Sequence, residues 1–431
     1  PKLYVPLRGR KMKITEELFT EAKNLLPGGT NDPSIITQPN PIYVRRGKGA
    51  YIWDLEDNKY IDYDLAFGSM ILGHAHPYIE YRIRAILEDG IQFGASVPYE
   101  IELARKLKKH IPTMEMMRFT PSYSEAAMHA IRLARAYTKK DKIIKIEGGH
   151  HGSYDQFLAK SGSGMLTHAT LGVHGILKDV AMSTVTVPFN DIKTLKNTIR
   201  ENEDMLAAMI IEPIPTSMGT VLPKEDYLKT VRELANAHNF VLIFDETSTA
   251  FRLSLGCVYE RFGVKPDLIV LGKIVGGGFP LGVFGGKKEL MEMLAPVGKV
   301  YQSSNLYASP LILGAGVATL DFLETNNVHE RLNRLGDNLR TRLTEVIQKK
   351  GLKCRVQGLG SMFTIFMTEK EVTNCADVRM SNIGKYMDMY YMFLKEGIYI
   401  PSSQFETAYL SAAHTEEEVD KTVEAFNKVM N

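Results

Sequence analysis

Short apolar runs rich in β-favouring residues alternate with helical patterns through the middle of the chain, between residues 116 and 290. The runs are MRFT, KIIKIE, STVTVP, AAMIIEP, FVLIFDE, DLIVLGK and LGVFGG. Between them, stretches such as AAMHAIRLARAY and YLKTVRELANAH repeat apolar positions with the period of a helix. The alternation predicts an α/β fold whose mostly parallel sheet, of about seven strands, is covered by helices. Ligands of such a sheet bind beyond the carboxyl ends of its strands.

The two ends of the chain show other patterns. An amphipathic helix is predicted over 12–27, and PIYVRRGKGAYIWDLEDNKYIDYD predicts two or three antiparallel strands with a turn near Asp57 and Asn58. The last third predicts helices near 310–325, 328–349, 383–396 and 415–430, and strands within CRVQGLGSMFTIFMT and GIYIP. We therefore expect a large domain over 76–315 and a smaller α+β domain built from both termini, 1–75 and 316–431.

The composition is that of an ordinary globular protein, with 431 residues, 44% of them hydrophobic and 24% charged. A formal charge of +2 gives no electrostatic basis for binding nucleic acid or a membrane, and no run approaches roughly 18 consecutive apolar residues. The three cysteines, Cys257, Cys354 and Cys375, are far apart and lack C-x-x-C spacing. We therefore expect a cytoplasmic protein without a metal site, a disulfide framework or a membrane anchor.

Two of the predicted strands end in charged groups. FVLIFDE ends in Asp245 and Glu246, and DLIVLGK ends in Lys273. A lysine at the end of an apolar strand is costly to bury unless it is paired, neutralised or used covalently. A desolvated lysine can form a Schiff base with an aldehyde cofactor, and a carboxylate can keep a pyridine nitrogen protonated. A plain ion pair between Asp245 and Lys273 is the competing interpretation, and these two residues alone leave both open.

A glycine run follows Lys273 in GGGFPLG, residues 276–282. Such a run lets the backbone approach another group closely, which a core strand does not need, and so it favours the cofactor interpretation. A Walker A motif and a G-x-G-x-x-G after a strand are both absent, so nucleotide binding is a weak alternative. His74 and His76 have no carboxylate partner at helical spacing, and this disfavours a metal hydrolase.

With these motifs the chain resembles the class III aminotransferases of fold type I, and within them the glutamate-1-semialdehyde 2,1-aminomutases. The resemblance is carried by LLPGGTNDP, KGAYIWDLEDNKYIDYD, LGHAHP, EMMRFTPSYSEAAMHAIRLARAYT, DKIIKIEGGHHGSYDQF, KSGSG, IIEP, YQSSNLYASP, GIYIPSSQFE and the Asp245 and Lys273 segments. It implies pyridoxal 5'-phosphate as the cofactor, with pyridoxamine 5'-phosphate formed during the cycle. It also implies a homodimer whose active sites lie between the subunits.

The resemblance further implies roles for individual residues. Lys273 would carry the cofactor and move a proton between substrate carbons, and Asp245 would pair with the pyridine nitrogen. The other matches to cofactor-binding positions are Ser122, Tyr123, Ser124, His150, Glu212, Ser217, Thr247 and Asn305. Of these, Ser122–Ser124 match a phosphate turn at the start of a helix, where free N–H groups attract an anion. Asn305 would reach the phosphate from the neighbouring subunit. The matches to substrate-facing positions are Ile35, Ser163 and Glu406.

Five of the cofactor-binding positions depart from the family pattern. The family has glycine at Tyr123, threonine at Asn305, tyrosine at His150, valine at Thr247 and asparagine at Ser217. Because a tyrosine cannot adopt the positive φ of a glycine without cost, we expect the phosphate turn to be altered.

The departure at Ile35 concerns the substrate. Aminomutases have an arginine there, which holds the substrate's carboxylate through a bidentate fork. Because Ile35 cannot replace that charged partner, we expect a substrate other than glutamate-1-semialdehyde, bearing an apolar group or lacking that carboxylate.

The leading hypothesis is therefore a pyridoxal-phosphate-dependent aminotransferase that acts on small-molecule amine and carbonyl substrates. An aminomutase or racemase, in which the same lysine returns the proton within one molecule, is the alternative within the class. A catalytically silent cofactor-binding paralogue is the alternative from another class, because the phosphate turn is altered.

Overall fold

The computed structural model describes residues 14–35, 37, 39–158, 174–307 and 309–430. In chain order its strands are β1 (Val44–Lys48), β2 (Tyr51–Asp54), β3 (Lys59–Asp62), β4 (Met116–Thr120), β5 (Lys142–Ile146), β6 (Thr184–Val187), β7 (Leu206–Ile211), β8 (Val241–Asp245), β9 (Leu268–Leu271), β10 (Gly282–Gly286), β11 (Arg355–Leu359), β12 (Met362–Phe366), β13 (Ile398–Tyr399) and β14 (Ala408–Tyr409).

The right-handed α-helices of the same residues are α1 (Ile14–Leu25), α2 (Pro77–Asp89), α3 (Pro98–His110), α4 (Tyr123–Thr138), α5 (Lys178–Met182), α6 (Ile192–Asn202), α7 (Tyr227–His238), α8 (Tyr259–Phe262), α9 (Lys288–Met291), α10 (Pro310–Thr325), α11 (Val328–Lys350), α12 (Cys375–Met380), α13 (Ile383–Lys395) and α14 (Glu416–Val429). None of them is long and apolar enough to cross a membrane.

The centre of the fold is a seven-stranded sheet in the order β4-β10-β9-β8-β7-β5-β6. Strand β10 pairs antiparallel with both β4 and β9, and the other neighbouring pairs are parallel. The predicted mostly parallel sheet of an α/β fold is therefore confirmed. All the strands other than β10 point their carboxyl ends toward one edge of the sheet.

The three central strands, β7, β8 and β9, are buried along their whole length. Successive side chains point to opposite faces, as the pleat requires. Thus Ile243 and Val270 pack in one apolar cluster together with helix α4, whereas Phe244 and Ile269 pack in a larger cluster on the other face. Burial on both faces explains why the runs read as continuously apolar rather than alternating.

A second sheet joins the two ends of the chain in the order β1-β2-β3-β13. Strand β13 pairs parallel with β3 through Ile398 and Ile61. A third sheet, β11-β12-β14, is made from C-terminal strands alone. These pairings support a smaller unit drawn from both termini, while its boundaries at 75 and 316 stay a prediction.

Two differences separate the predicted elements from the observed ones. The first helix ends at Leu25, two residues before the predicted end at 27, and residues 12 and 13 of that prediction lie outside the described ranges. The sequence patterns also gave no helix bounds within 77–110, where helices α2 and α3 each begin with a proline in the first turn. Proline suits that position because its missing N–H has no helical partner there.

The close packing between β10 and the turn after β4 can be tested by a substitution at Gly282. A Cβ added at Gly282 would lie 2.1 Å from the carbonyl oxygen of Ser122. We expect Gly282→Ala to lower the free energy of unfolding by about 1–3 kcal/mol, as overpacking does. Chemical denaturation measures this change. Gly384→Ala is the matched control, because its nearest atom is 3.4 Å away and alanine favours a helix. Equal stability of the two variants would contradict this packing argument.

Candidate active site

Polar side chains from four adjacent parallel strands meet at the carboxyl edge of the central sheet. Asp245 ends β8, and Lys273 follows β9 after one glycine. Glu212 follows β7 directly, and His150 and His151 follow β5. The edge predicted to carry the chemistry therefore brings together residues that are far apart in sequence.

Asp245 is a buried carboxylate, with only 2% of its surface exposed. The Nδ1 atom of His151 lies 2.8 Å from Oδ2, and the backbone N–H of Thr247 donates to Oδ1 at 3.0 Å. Burial alone would raise the pKa of Asp245, but the hydrogen bonds from these two residues and the electrostatic interaction with His151 hold that pKa below its ordinary value. Asp245 is thus kept anionic inside the protein.

Lys273 lies in a strained backbone position, with a φ of 51°. Its Nζ donates to the hydroxyl of Ser248 at 2.8 Å. Burial lowers the pKa of Lys273, and the carboxylates of Glu406, Glu212 and Asp245 oppose that effect only in part. A lysine with a lowered pKa holds more of its amine in the neutral, nucleophilic form.

The predicted phosphate turn lies at the start of helix α4. Ser122 is the N-cap and accepts a hydrogen bond from the N–H of Glu125 at 3.2 Å, while Tyr123 is the first helical residue. The expected conformational cost at Tyr123 is wrong, because this residue does not have a positive φ. The close approach falls on Gly272 instead, where an added Cβ would lie 2.8 Å from the Cβ of Tyr123.

His150 is held at two points. Its N–H donates to Glu212 Oε1 at 3.2 Å, and its Nε2 lies 3.1 Å from the hydroxyl of Tyr123. Burial lowers the pKa of His150 to about 4, so its ring is neutral at physiological pH. Glu212 also accepts from the N–H of Thr216 at 2.9 Å, which fixes the loop that carries Ser217.

These groups border a cavity of about 710 Å³, which we call the lysine cavity. Its described lining is Asn31, Asp32, Pro33, Ser34, Ala66, Phe67, Ser69, Ser122, Tyr123, His150, Ser153, Leu158, Thr216, Ser217, Lys273, Gly278, Phe279, Pro280, Leu281, Glu406 and Tyr409. Asp245, Glu212 and Thr247 are buried and are not part of this lining. Ser124 does not line the cavity, but its hydroxyl accepts from the N–H of Ser153 at 2.8 Å.

Two further predicted residues, Ile35 and Asn305, do not line this cavity. Ile35 lines an adjoining cavity instead. Asn305 is exposed on the surface, where its carbonyl oxygen accepts from the side chain of Gln92 at 3.0 Å. Ser163 lies outside the described residues.

The glycine run after Lys273 packs against protein. An added Cβ at Gly277 would lie 2.8 Å from the carbonyl oxygen of Ala315 in helix α10, and one at Gly278 would lie 2.5 Å from the sulfur of Met70. The run therefore brings the Lys273 turn onto a helix and a neighbouring loop.

The chemistry of the donor set fits pyridoxal phosphate. A buried anionic Asp245 has lone pairs left for a pyridine nitrogen, because each carboxylate oxygen can accept more than one hydrogen bond. The start of α4 offers backbone N–H groups and hydroxyls to a phosphate. Lys273 opens into the same cavity as Ser122. In contrast, the described residues hold no group of three or more His, Cys, Asp or Glu side chains placed to bind a metal.

Sequence reasoning assigned no role to several residues of the site. His151 follows His150 in the GGHHG segment after β5, and Ser248 is three residues beyond Asp245, so position after a strand was the available signal. Phe67 and Tyr409 had no such signal. They come from segments near opposite ends of the chain, and only the folded structure brings them into one lining.

Glu406 provides a test of charge burial in the lysine cavity. Burial raises the pKa of Glu406 to about 8, although the charge of Lys273 acts to lower it. The folded protein therefore binds this proton more tightly than the unfolded chain does. The stabilisation is complete below the ordinary pKa and is lost as pH rises through about 8.

We therefore expect the stability of Glu406→Gln, measured relative to the wild type, to increase from about pH 6 to about pH 9. Urea unfolding of the cofactor-free protein at several pH values measures the difference. Exposed Glu424 gives the control variant Glu424→Gln, whose difference from the wild type should stay flat. If the difference for Glu406→Gln also stays flat across this pH range, the raised pKa of Glu406 is refuted.

Comparisons with known proteins place these features in a family. The sequence profile described as "Aminotransferase class-III" matches residues 36–430. The chain is 43% identical to a glutamate-1-semialdehyde 2,1-aminomutase of Archaeoglobus fulgidus, covering 97% of this chain and 99% of that protein. It is 42% identical to the protein of the same name from Thermus thermophilus, again covering 97% and 99%.

Solved structures agree with this. An omega-transaminase from Sphaerobacter thermophilus superposes with a TM-score of 0.89 at 33% identity, covering 96% of this chain and 97% of the other. A transaminase with PLP bound superposes with a TM-score of 0.88 at 32% identity, covering 97% and 98%. On the profile match and the chain-long identity, this chain belongs to the class III aminotransferase family.

Proposed function

We propose that this protein transfers an amino group from a small amine to a carbonyl compound, using pyridoxal phosphate held at Lys273. As a class III aminotransferase, the chain is a pyridoxal-phosphate-dependent enzyme. The observation that carries the assignment is a lysine of lowered pKa that opens into the lysine cavity, at the strand edge where Asp245 is kept anionic.

When bound, this cofactor supplies an aldehyde that takes up the amino group and a ring that withdraws electrons from the substrate carbon. Asp245 would hold a proton on the pyridine nitrogen, and His151 and Thr247 keep that carboxylate charged. The neutral imidazole of His150 would face the ring. The N–H groups and hydroxyls around Ser122 would hold the phosphate. Lys273 carries the proton to and from the substrate carbon through its Nζ.

The lysine cavity favours a substrate that has no carboxylate at the end remote from its amino group. Among its described lining residues, Lys273 is the only lysine or arginine, and Asp32 and Glu406 are acidic. A substrate carboxylate there would lose its hydration without gaining a cationic partner. Because Ile35 also stands where aminomutases have arginine, we infer that glutamate-1-semialdehyde is not the substrate.

Aminomutase action is the second candidate, and the chain-long identity to proteins of that name favours it. The same lysine would then return the proton to another carbon of the same molecule. The geometry around Lys273 serves either outcome, so the distinction depends on whether an amino donor needs a separate carbonyl acceptor.

Shared active sites in a homodimer are supported by the surface around Asn305. Gln92 binds the carbonyl oxygen of Asn305. The exposed apolar side chains of Ile91, Phe93 and Leu306 lie beside these two residues in sequence. An apolar surface of this kind is typical of subunit contacts. It would place Asn305 where it can reach the cavity of a partner rather than its own.

The lysine assignment is tested by Lys273→Ala. We expect the purified variant to lose the visible absorbance of lysine-bound cofactor and all turnover, because Lys273 is the only lysine among the described residues that line the cavity. Absorbance spectroscopy, and mass spectrometry after borohydride reduction, measure the attachment. Lys353→Ala, at an exposed lysine, should keep both signals. Retained absorbance in Lys273→Ala would remove the assignment, whereas a wild type without any adduct would favour a silent paralogue.

The type of reaction is tested with single substrates. An aminotransferase given one amine and no carbonyl acceptor should convert the cofactor once and stop, as judged by its absorbance and by product yield. With glutamate-1-semialdehyde as the only substrate, we expect no repeated turnover. Continued formation of 5-aminolevulinate would instead establish the aminomutase.

A further inference from the structure

A second cavity of about 420 Å³ adjoins the lysine cavity. The two share Asn31, Ser34, Phe67 and Glu406 in their linings. The second cavity extends from these residues toward the N-terminal helix and the loop before β1. We call it the side cavity. Because the linings overlap, a group that projects from the lysine cavity past Phe67 enters the side cavity.

The walls of the side cavity are mainly apolar and aromatic. The side chains that supply this surface are Leu26, Ile35, Ile42, Tyr43, Val44, Phe67, Tyr390 and Tyr399. Its described lining includes Asp64 and Glu406 but no lysine or arginine. The cavity thus offers aromatic contact to an apolar group and no cation to a carboxylate.

The boundary between the two cavities is a backbone turn held by hydrogen bonds. Phe67 lies in a left-handed turn, Leu65–Gly68, in which three successive residues other than glycine have φ values of 52° to 54°. Such residues are strained, and they persist only where the surroundings hold them. Here Asp64 accepts from the N–H of Phe67 at 2.9 Å, and the buried Arg252 donates to the carbonyl oxygen of Gly68.

We propose that the side cavity binds an apolar, planar substituent of the amino substrate, such as an aryl group two or three carbons from the amine. The proposal rests on the proposed function, since it assumes that an amine reacts at Lys273. A cavity of roughly 150 Å³ is enough to bind benzene, so the side cavity accommodates a ring of that size. Transfer of the ring from water to these walls is favourable, whereas a carboxylate there would lose its hydration without gaining a cationic partner.

Equilibrium binding to the holoenzyme tests the side cavity without any reaction. The probes are 4-phenylbutan-2-ol and 4-hydroxypentanoate, which place an aryl group or a carboxylate at the same end and have no amino group to transfer. We expect calorimetry to show the aryl alcohol binding at least about tenfold more tightly. Equal affinities, or tighter binding of the carboxylate, would overturn the proposal.

The variant Ile35→Arg adds a cation to the side cavity wall. We expect it to shift the preference by about tenfold or more toward the carboxylate probe. Ile383→Arg is the matched control, because Ile383 is 48% exposed and Ile35 is 42% exposed, and Ile383 lines neither cavity. An unchanged preference in Ile35→Arg, with the thermal unfolding of the wild type retained, would also overturn the proposal.

The corresponding amines, 4-phenylbutan-2-amine and 4-aminopentanoate, separate this proposal from the proposed function. A change in the cofactor's visible absorbance on addition of the aryl amine supports both the side-cavity proposal and the proposed function. Selective binding of the aryl alcohol with no conversion by either amine would leave the side cavity in place and count against amino transfer. Conversion of the cofactor by both amines, without selective binding of the aryl alcohol, would count against the side-cavity proposal alone.

Discussion

A carboxylate can stay charged inside a protein only if its surroundings replace the water it has lost, and the site around Asp245 is organised by that requirement. His151 and the N–H of Thr247 satisfy the two oxygens of Asp245. Thr247 follows the same strand as Asp245, whereas His151 follows β5, which only β7 separates from β8, so the strand order of the sheet brings this histidine to the charge. Close to this fixed anion, burial disfavours the charge on Lys273 and on Glu406.

Much of this framework follows from local sequence pattern. The apolar runs predicted the strands of the central sheet, and strand ends identified Asp245 and Lys273, because periodicity and strand polarity are properties of short segments. Helices α10 and α11 were placed within a residue for the same reason. The seven-stranded sheet and the family were therefore accessible before any coordinates.

Other features depend on contacts between distant segments, which no local pattern encodes. The left-handed turn at Leu65–Gly68 has glycine only at its last position, so its sequence gave no indication of positive φ. The conformational cost expected at Tyr123 was overestimated for a related reason. A glycine-to-tyrosine comparison treats one residue alone, whereas the space around Tyr123 is provided by Gly272, which follows β9. The side cavity could not be predicted, because its walls come from both ends of the chain.

The pairing of β3 with β13 has a consequence for how the protein is made. During synthesis the central sheet, with Asp245 and Lys273, leaves the ribosome well before β13 and Glu406. Contacts between such distant segments form late, because closing a long loop is entropically costly. A nascent chain can therefore have its reactive lysine in place while the cavity wall is still incomplete. Substrate recognition is gained only after β13 and Glu406 have been synthesised, so a truncation that removes them would remove selectivity before it removes the catalytic framework.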